Sequence, residues 1–421
     1  MKILLIVVLT VFLFIPLHAR EDHDHFHTHD DHEQHYDDDN EAPEKKHFTF
    51  ARQRFEFGFQ VGAGVANDLL GVGEIFSRDI VLDLNKLEKA IGKDGFDIYA
   101  GLLETGIFLN IKNLPIAKGR WGIGFFAGAE GSLRGNIPQS IFTLISQGNI
   151  DKHVFEGDIN VFGGIFAKAG LKTSAKYGKL SVGLTQTFYA PMFYIPKSGI
   201  NFYFDTTDGI YLSSGGEISI YSPFVENGEL KIGFDLSFQG EYALFSFLDV
   251  GGTLSGLPIA PASLKNGIRM TMTNEPLDIT GEDLINGEEI IFPDFGLGDS
   301  EAFSAKKNVF RPMRFDVYAR YKPFGGREII VLRPNIGFTV DITENEGYFN
   351  VGAEAILNLK DLLIPYYYIG REEGLWKNRL GFAFNLRAFR LDMEAAFQSQ
   401  SFSGSFSLKG LAVNLGLSFG W

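Results

Sequence analysis

The sequence predicts an all-β protein, a transmembrane antiparallel up-and-down β-barrel of about fourteen strands (roughly 12 to 16) with short helical insertions. Three observations predict it. From Phe48 onward apolar and polar residues alternate with a period of two, the mark of strands whose two faces meet different surroundings. The chain has 41 Phe and 49 Gly but only 15 Pro, which suits many strands carrying outward aromatic side chains. After residue 19 no apolar run reaches the length of a membrane-spanning helix, so a membrane-embedded chain has to cross with strands closed into a barrel, where every backbone group finds a partner.

Residues 1–19 read as an export signal: Lys2, an apolar run from Ile3 to Leu17, then Ala19 at a small-residue cleavage position. A helix over that run spans only about 22 Å, and Pro16 interrupts its end, so a permanent anchor is disfavoured and cleavage is expected after Ala19. The absence of Cys removes disulfides, thiolate metal sites and a lipid anchor on Cys together. Residues 20–47 read as a disordered periplasmic segment. Between 20 and 46, eleven acidic residues stand against Arg20, Lys45 and Lys46, a charge of −8 out of −14 for the whole chain, too polar to bury a core. The barrel is expected over 48–421.

The clearest strands lie near the C-terminus. Leu380, Phe382, Phe384 and Leu386 alternate with Gly381, Ala383, Asn385 and Arg387. After a break of phase at 388–390, Leu391, Met393, Ala395 and Phe397 oppose Asp392, Glu394, Ala396 and Gln398, which marks a hairpin. The same reading gives strands over 54–65, 97–111, 120–134, 157–173, 178–190, 209–222, 229–249, 266–274, 312–322, 329–342, 347–359, 362–370, 377–388, 389–399 and 409–421, with amphipathic helices at 80–91 and 138–147. Turns at 324–327, 359–362 and 388–390 fall at one end of the barrel and a long loop, 274–308, at the other.

A soluble sandwich or propeller also alternates, but its core rarely needs Phe at this density, whereas a lipid-facing band does. Tyr366, Tyr367 and Tyr368 fit an aromatic girdle. The chain stops at Leu415-Gly416-Leu417-Ser418-Phe419-Gly420-Trp421, which resembles the last strand of bacterial outer-membrane proteins, where a terminal Phe or Trp is read by the barrel-insertion machinery. That resemblance implies an outer-membrane location, with lipid and the insertion machinery as partners. More broadly, a strand, a short helix at Ile80 to Ile91, long strands and a Gly/Phe-rich finish are similar to the long-chain fatty-acid transporter (FadL/PorV-like) superfamily. The likeness implies passive movement of a small-molecule solute, hydrophobic ligands included. A non-conducting surface-binding or structural barrel and a secreted soluble β-protein are the alternatives.

The sequence offers few places for chemistry. His23, His25, His27, His29, His32 and His35, interleaved with Asp22, Asp24, Asp30 and Asp31, could wrap Zn²⁺ in weak, exchangeable sites, or they form a solvated linker that titrates near neutral pH. The acidic stretch 274–303 reads as a solvated loop, with Ca²⁺ binding as the lesser option. Arg314, Asp316, Arg320, Arg333, Arg387, Asp392 and Glu394 fall on the polar face together with Asp235 and Asp341, and form either a constriction that sorts solutes by charge or ion pairs that brace the interior. An enzyme is not expected: beyond the tail only His47 and His153 remain, with no Gly-x-Ser-x-Gly context. The acidic net charge opposes nucleic-acid binding.

Overall fold

Strict alternation means that one face of every strand is apolar, so the fold turns on which medium that face meets. The structure, a computed structural model, describes residues 54–67, 95–116, 119–147, 154–207, 209–273, 277–280, 300–324, 327–386, 388–406 and 409–421. In chain order, β1 is Phe55–Asn67, β2 Phe96–Ile116, β3 Gly119–Ile137, β4 Val154–Tyr177 and β5 Leu180–Asp205. β6 comprises Gly209–Tyr221, Glu229–Lys231 and Gly233–Phe245 and is interrupted at 222–228. β7 comprises Leu248–Ala260, Ala262–Thr273 and Leu277–Thr280, and β8 Ser300–Val309 and Met313–Tyr321. β9 is Ile330–Asp341, β10 Glu346–Leu357, β11 Leu363–Glu372, β12 Leu375–Asn385, β13 Phe389–Ser399 and β14 Gly410–Gly420.

Each strand pairs antiparallel with the next, and β14 returns to β1 in register from Glu56↔Gly420 to Ala66↔Gly410. The Trp421 N–H donates to the Phe55 carbonyl at 3.1 Å, and the Arg54 N–H donates to the Trp421 carbonyl at 3.1 Å. The Trp421 ring stacks on Phe55 with centroids 5.9 Å apart. Fourteen strands therefore form a closed wall with no free edge.

The wall is inside-out relative to a soluble protein. Phe57, Phe125, Phe188, Phe338, Leu380 and Phe419 are exposed on the outside, while Gln60, Thr187, Asp235, Asp316, Asn350 and Gln398 are buried within. Water does not select such an arrangement and hydrocarbon does, so the outer face is a lipid face. No helix among the described residues is long and apolar enough to cross a membrane.

The wall is also lopsided. β9 to β14 have 10 to 12 residues each. At about 3.3 Å per residue and a tilt of about 40°, that length just matches a hydrocarbon core of about 30 Å. β4 has 24 residues and β5 has 26, so this side stands roughly 30 Å beyond the lipid. The near rim is the end where β1 starts and β14 finishes, and the turns at 178–179, 246–247 and 358–362 lie there, as do Leu386 and Ala388. The tall wall and α1 (Gln139–Gln147) belong to the far rim.

The expected strand number and the helix at 138–147 match the structure, but several boundaries do not. The span 229–249 crosses a turn at 246–247, and β7 begins before it ends. Residues 250–265 belong to β7 although Gly251, Gly252, Gly256, Pro258 and Pro261 erase their alternation. The long loop begins later and ends sooner than 274–308, because 277–280 pair with β6 and 300–309 with β7. The three tyrosines do not form a girdle together. Alternation sends Tyr367 outward, while Tyr368 is buried and the Tyr366 hydroxyl donates to Glu394 at 2.9 Å. Residues 1–53, including the signal, the His-rich tail and all six of its expected ligands, lie outside the described residues, as do the helix expected at 80–91, His153 and Arg387.

Candidate functional site in the barrel lumen

The lumen holds a cavity of about 440 Å³ that reaches from Gly122 and Gly124 low on β3 to Arg134 near its far end. Small side chains keep its lower part open: Gly122, Gly124, Ser174, Gly183, Thr185 and Thr253 line it. At Gly124 a Cβ would come within 2.3 Å of the Asn110 amide oxygen, so only glycine leaves that amide its place. The upper part is walled by Tyr99, Phe162, Tyr194, Phe310 and Tyr348.

Charged side chains cross this space. Arg311, between the two segments of β8, donates to Glu130 on β3 at 2.7 Å and to Asp235 on β6 at 2.7 Å. Lys168 on β4, whose side chain is fully buried, pairs with the same Glu130 at 2.7 Å and with Glu104 on β2. Two cations and three carboxylates thus join five strands, and each buried charge has a partner of opposite sign. Lys168 lies over the Phe126 ring, and Arg311 lies over Tyr189, which meets Phe166 edge to face with ring centroids 6.1 Å apart.

Further out, the short hairpins lean against the tall wall. Residues 342–345 join β9 to β10, and Glu344 accepts from the Lys197 backbone N–H on β5 at 2.7 Å and from the Tyr194 hydroxyl. The Lys197 ammonium reaches Glu346 at 2.9 Å. Arg134 on β3 lies 4.6 Å from the ring centroid of Tyr348 on β10, which is seven strands away and so directly across the barrel, and 3.4 Å from Glu373 in the β11–β12 turn. The far side of the lumen is therefore bridged by contacts that single-strand patterns do not reveal.

The charges expected on the inner face occupy several separate networks. Arg314 pairs with Asp316 and reaches Glu372 at 3.3 Å, where Lys377 at 3.3 Å and Arg379 converge on the same carboxylate. Arg320 joins Glu241 at 3.1 Å, Asp249 at 3.4 Å and Glu328 at 3.1 Å close to the near rim. Arg333 meets Glu354 at 3.6 Å and lies over the Tyr318 ring. Asp392 pairs with Arg390 at 2.8 Å, and Glu394 takes the Tyr366 hydroxyl. Of this expected set, Arg314, Arg333 and Asp341 are the described residues that line the cavity. Arg134, Lys168, Glu104, Glu130 and Glu373 carry no such expectation from sequence. Lys168 stands between Ala167 and Ala169 in the strand rhythm, which was its one visible signal. Among the described residues no group of three or more His, Asp or Glu is placed to hold a metal ion.

No protein-family model matches the chain, and no curated protein does. Solved structures with a similar outline include the Ralstonia pickettii toluene transporter TbuX, at 6% identity and TM-score 0.43 over 87% of this chain and 89% of that one. The Pseudomonas putida toluene transporter TodX is similar at 10% identity and TM-score 0.39 over 87% and 88%. A Pseudomonas aeruginosa FadL homologue is similar at 9% identity and TM-score 0.40 over 87% and 89%. The architecture rests on the hydrogen-bonded pairing of the strands. On that pairing and its outward apolar belt, the chain is a fourteen-stranded transmembrane β-barrel, weakly similar to the FadL-type transporters.

Proposed function

We propose that this barrel is an outer-membrane channel for the passive movement of small solutes through its lumen. One observation carries the reading: an outer face fit only for lipid encloses a cavity lined by small polar residues below and aromatic rings above. A soluble β-protein places its apolar face inward and encloses no such polar space. The aromatic upper part suits solutes with an apolar portion as well as a polar one. Proteoliposomes containing the full-length protein are expected to swell in an arabinose gradient and to show steps of conductance in a planar bilayer. A heat-modifiable barrel that does neither would leave a non-conducting surface-binding or structural barrel.

In this reading residues 1–19 direct export, Trp421 serves recognition by the insertion machinery, the near rim faces the periplasm, and 20–47 form a periplasmic arm. The arm adds a second testable property. Neutral imidazole ligates Zn²⁺ and imidazolium does not, so Zn²⁺ uptake by the six clustered His should be present at pH 7.5 and fall as the pH drops through about 6.5. Calorimetry is expected to show stoichiometric Zn²⁺ binding that disappears when 21–40 are deleted, with arabinose swelling unchanged. Equal uptake by both chains would reduce the arm to a linker.

A further inference from the structure

The chain is acidic, with a net charge of −14, yet its lumen is lined the other way: seven Lys or Arg side chains border the cavity against four Asp or Glu. The surplus is one of orientation. Lys112 pairs with Glu56 at 2.6 Å, Arg314 and Lys377 each reach Glu372 at 3.3 Å, and Arg333 meets Glu354 at 3.6 Å. In all four pairs the cation lines the cavity and the carboxylate does not. The side-chain exposures agree, 27% for Lys112 against 6% for Glu56, and 20% for Arg314 against 5% for Glu372. Each pair therefore turns its positive end to the space and its negative end to the wall. Of the four carboxylates that do line the cavity, Glu104 and Glu130 hold the buried Lys168, Glu373 meets Arg134, and Asp341 accepts the backbone N–H groups of Thr343 and Glu344.

Lys172 differs from the other six cations. Among the described residues it has no carboxylate partner, and its ammonium lies 5.4 Å from the ring centroid of Phe126. It stands in the lower lumen between Gly124 on β3 and Thr185 on β5, in an inward row that runs on to Asn110 on β2 and Ser237 on β6. No carboxylate belongs to this row, and its other side chains are short, so an ion beside the ammonium keeps room for its water. The Ser237 hydroxyl accepts the Gly256 N–H at 3.1 Å, which leaves its own proton to donate. An ammonium without a counter-charge and a hydroxyl donor both favour an anion.

We propose that the channel selects small hydrophilic anions over cations, and that Lys172 draws them into the lower lumen. This deepens the channel reading and rests on it for the aqueous path. A cleft lined by one sign of charge, with low-dielectric walls, focuses its field on the space between them and enriches the counter-ion there. The ion pairs set that sign by their orientation, and Lys172 adds a full charge that nothing nearby cancels. One such ammonium in a watery space attracts an ion without immobilising it, which conduction requires.

The experiment is the reversal potential of purified full-length protein in a planar bilayer under a KCl gradient, with K172E, K172Q and K265E alongside, each first shown to be heat-modifiable. In about 0.1 M salt, where the Debye length is about 10 Å, Cl⁻ should permeate roughly tenfold more readily than K⁺, and near 1 M, where it is about 3 Å, the preference should shrink toward parity. K172E should lower the Cl⁻/K⁺ ratio about fivefold, the effect of two unit charges roughly 8 Å from the ion in water, and K172Q about twofold. K265E changes the chain's charge by as much as K172E, at an exposed residue outside the cavity, and should leave the ratio as it is. A preference for K⁺ or none at the lower salt, ratios in K172E and K172Q equal to wild type, or an equal fall in K265E would each overturn the proposal and leave a conducting channel. A barrel that passes neither ion fails the channel reading itself, and the proposal with it.

Discussion

Replacing Leu380 by Arg is expected to destabilise the protein by about 2–4 kcal/mol, the cost of placing a guanidinium on the lipid face near mid-bilayer. Leu380 is 61% exposed and sits halfway along β12, where its cross-strand neighbour Tyr367 also faces outward. In a water-soluble β-protein an exposed Leu→Arg change stays within about 0.5 kcal/mol or improves solubility. The two outcomes differ in size, so one substitution separates lipid from water as the outer medium. Urea titration of protein refolded in lipid vesicles, read by heat-modifiable migration, gives the comparison. An unchanged midpoint would place that face against water.

The second large effect lies inside. Arg311→Met is expected to cost about 3 kcal/mol or more, since it removes a buried cation and leaves two carboxylates facing each other. Asp235 is 1% exposed and has Arg311 at 2.7 Å, and Glu130 is shared between Arg311 and Lys168, the latter at 2.7 Å. The loss comes from the excess buried negative charge and not from the missing contact. Adding Asp235→Asn to Arg311→Met should therefore restore part of the stability, a coupling visible in a double-mutant cycle. Additive costs would show that Asp235 finds water or another partner when Arg311 is gone.

The sequence declares this architecture where alternation is clean, and it fails where side chains on both faces are small. β12 and β13 read correctly from Leu380 to Gln398 because Phe and Leu mark one face and charges the other. The upper part of β5, with Pro191 and Pro196, and the middle of β7, with its glycines, carry neither mark, and neighbouring strands hold them in the wall. At the site the limit is different. Alternation tells that Arg314 and Asp316 face inward, but not that Arg314 continues to Glu372 on β11. The bridge from Arg134 to Glu373 spans a diameter of the barrel, and its two ends are 239 residues apart in sequence. A period-two rhythm fixes direction within a strand, and distances across the lumen depend on strand number and stagger.

The seam between β1 and β14 gives the backbone an uncommon economy of connection. Every other ladder in the wall joins strands that follow one another along the chain. Joining Glu56 to Gly420 alone closes a loop of more than 350 residues, a chain-entropy cost of about 5 kcal/mol by ideal loop statistics. Eleven register pairs between the two strands offset it. The ladder network is thus a string of local hairpins with one distant clasp, so an all-β protein of this length has a low contact order until the clasp is fastened.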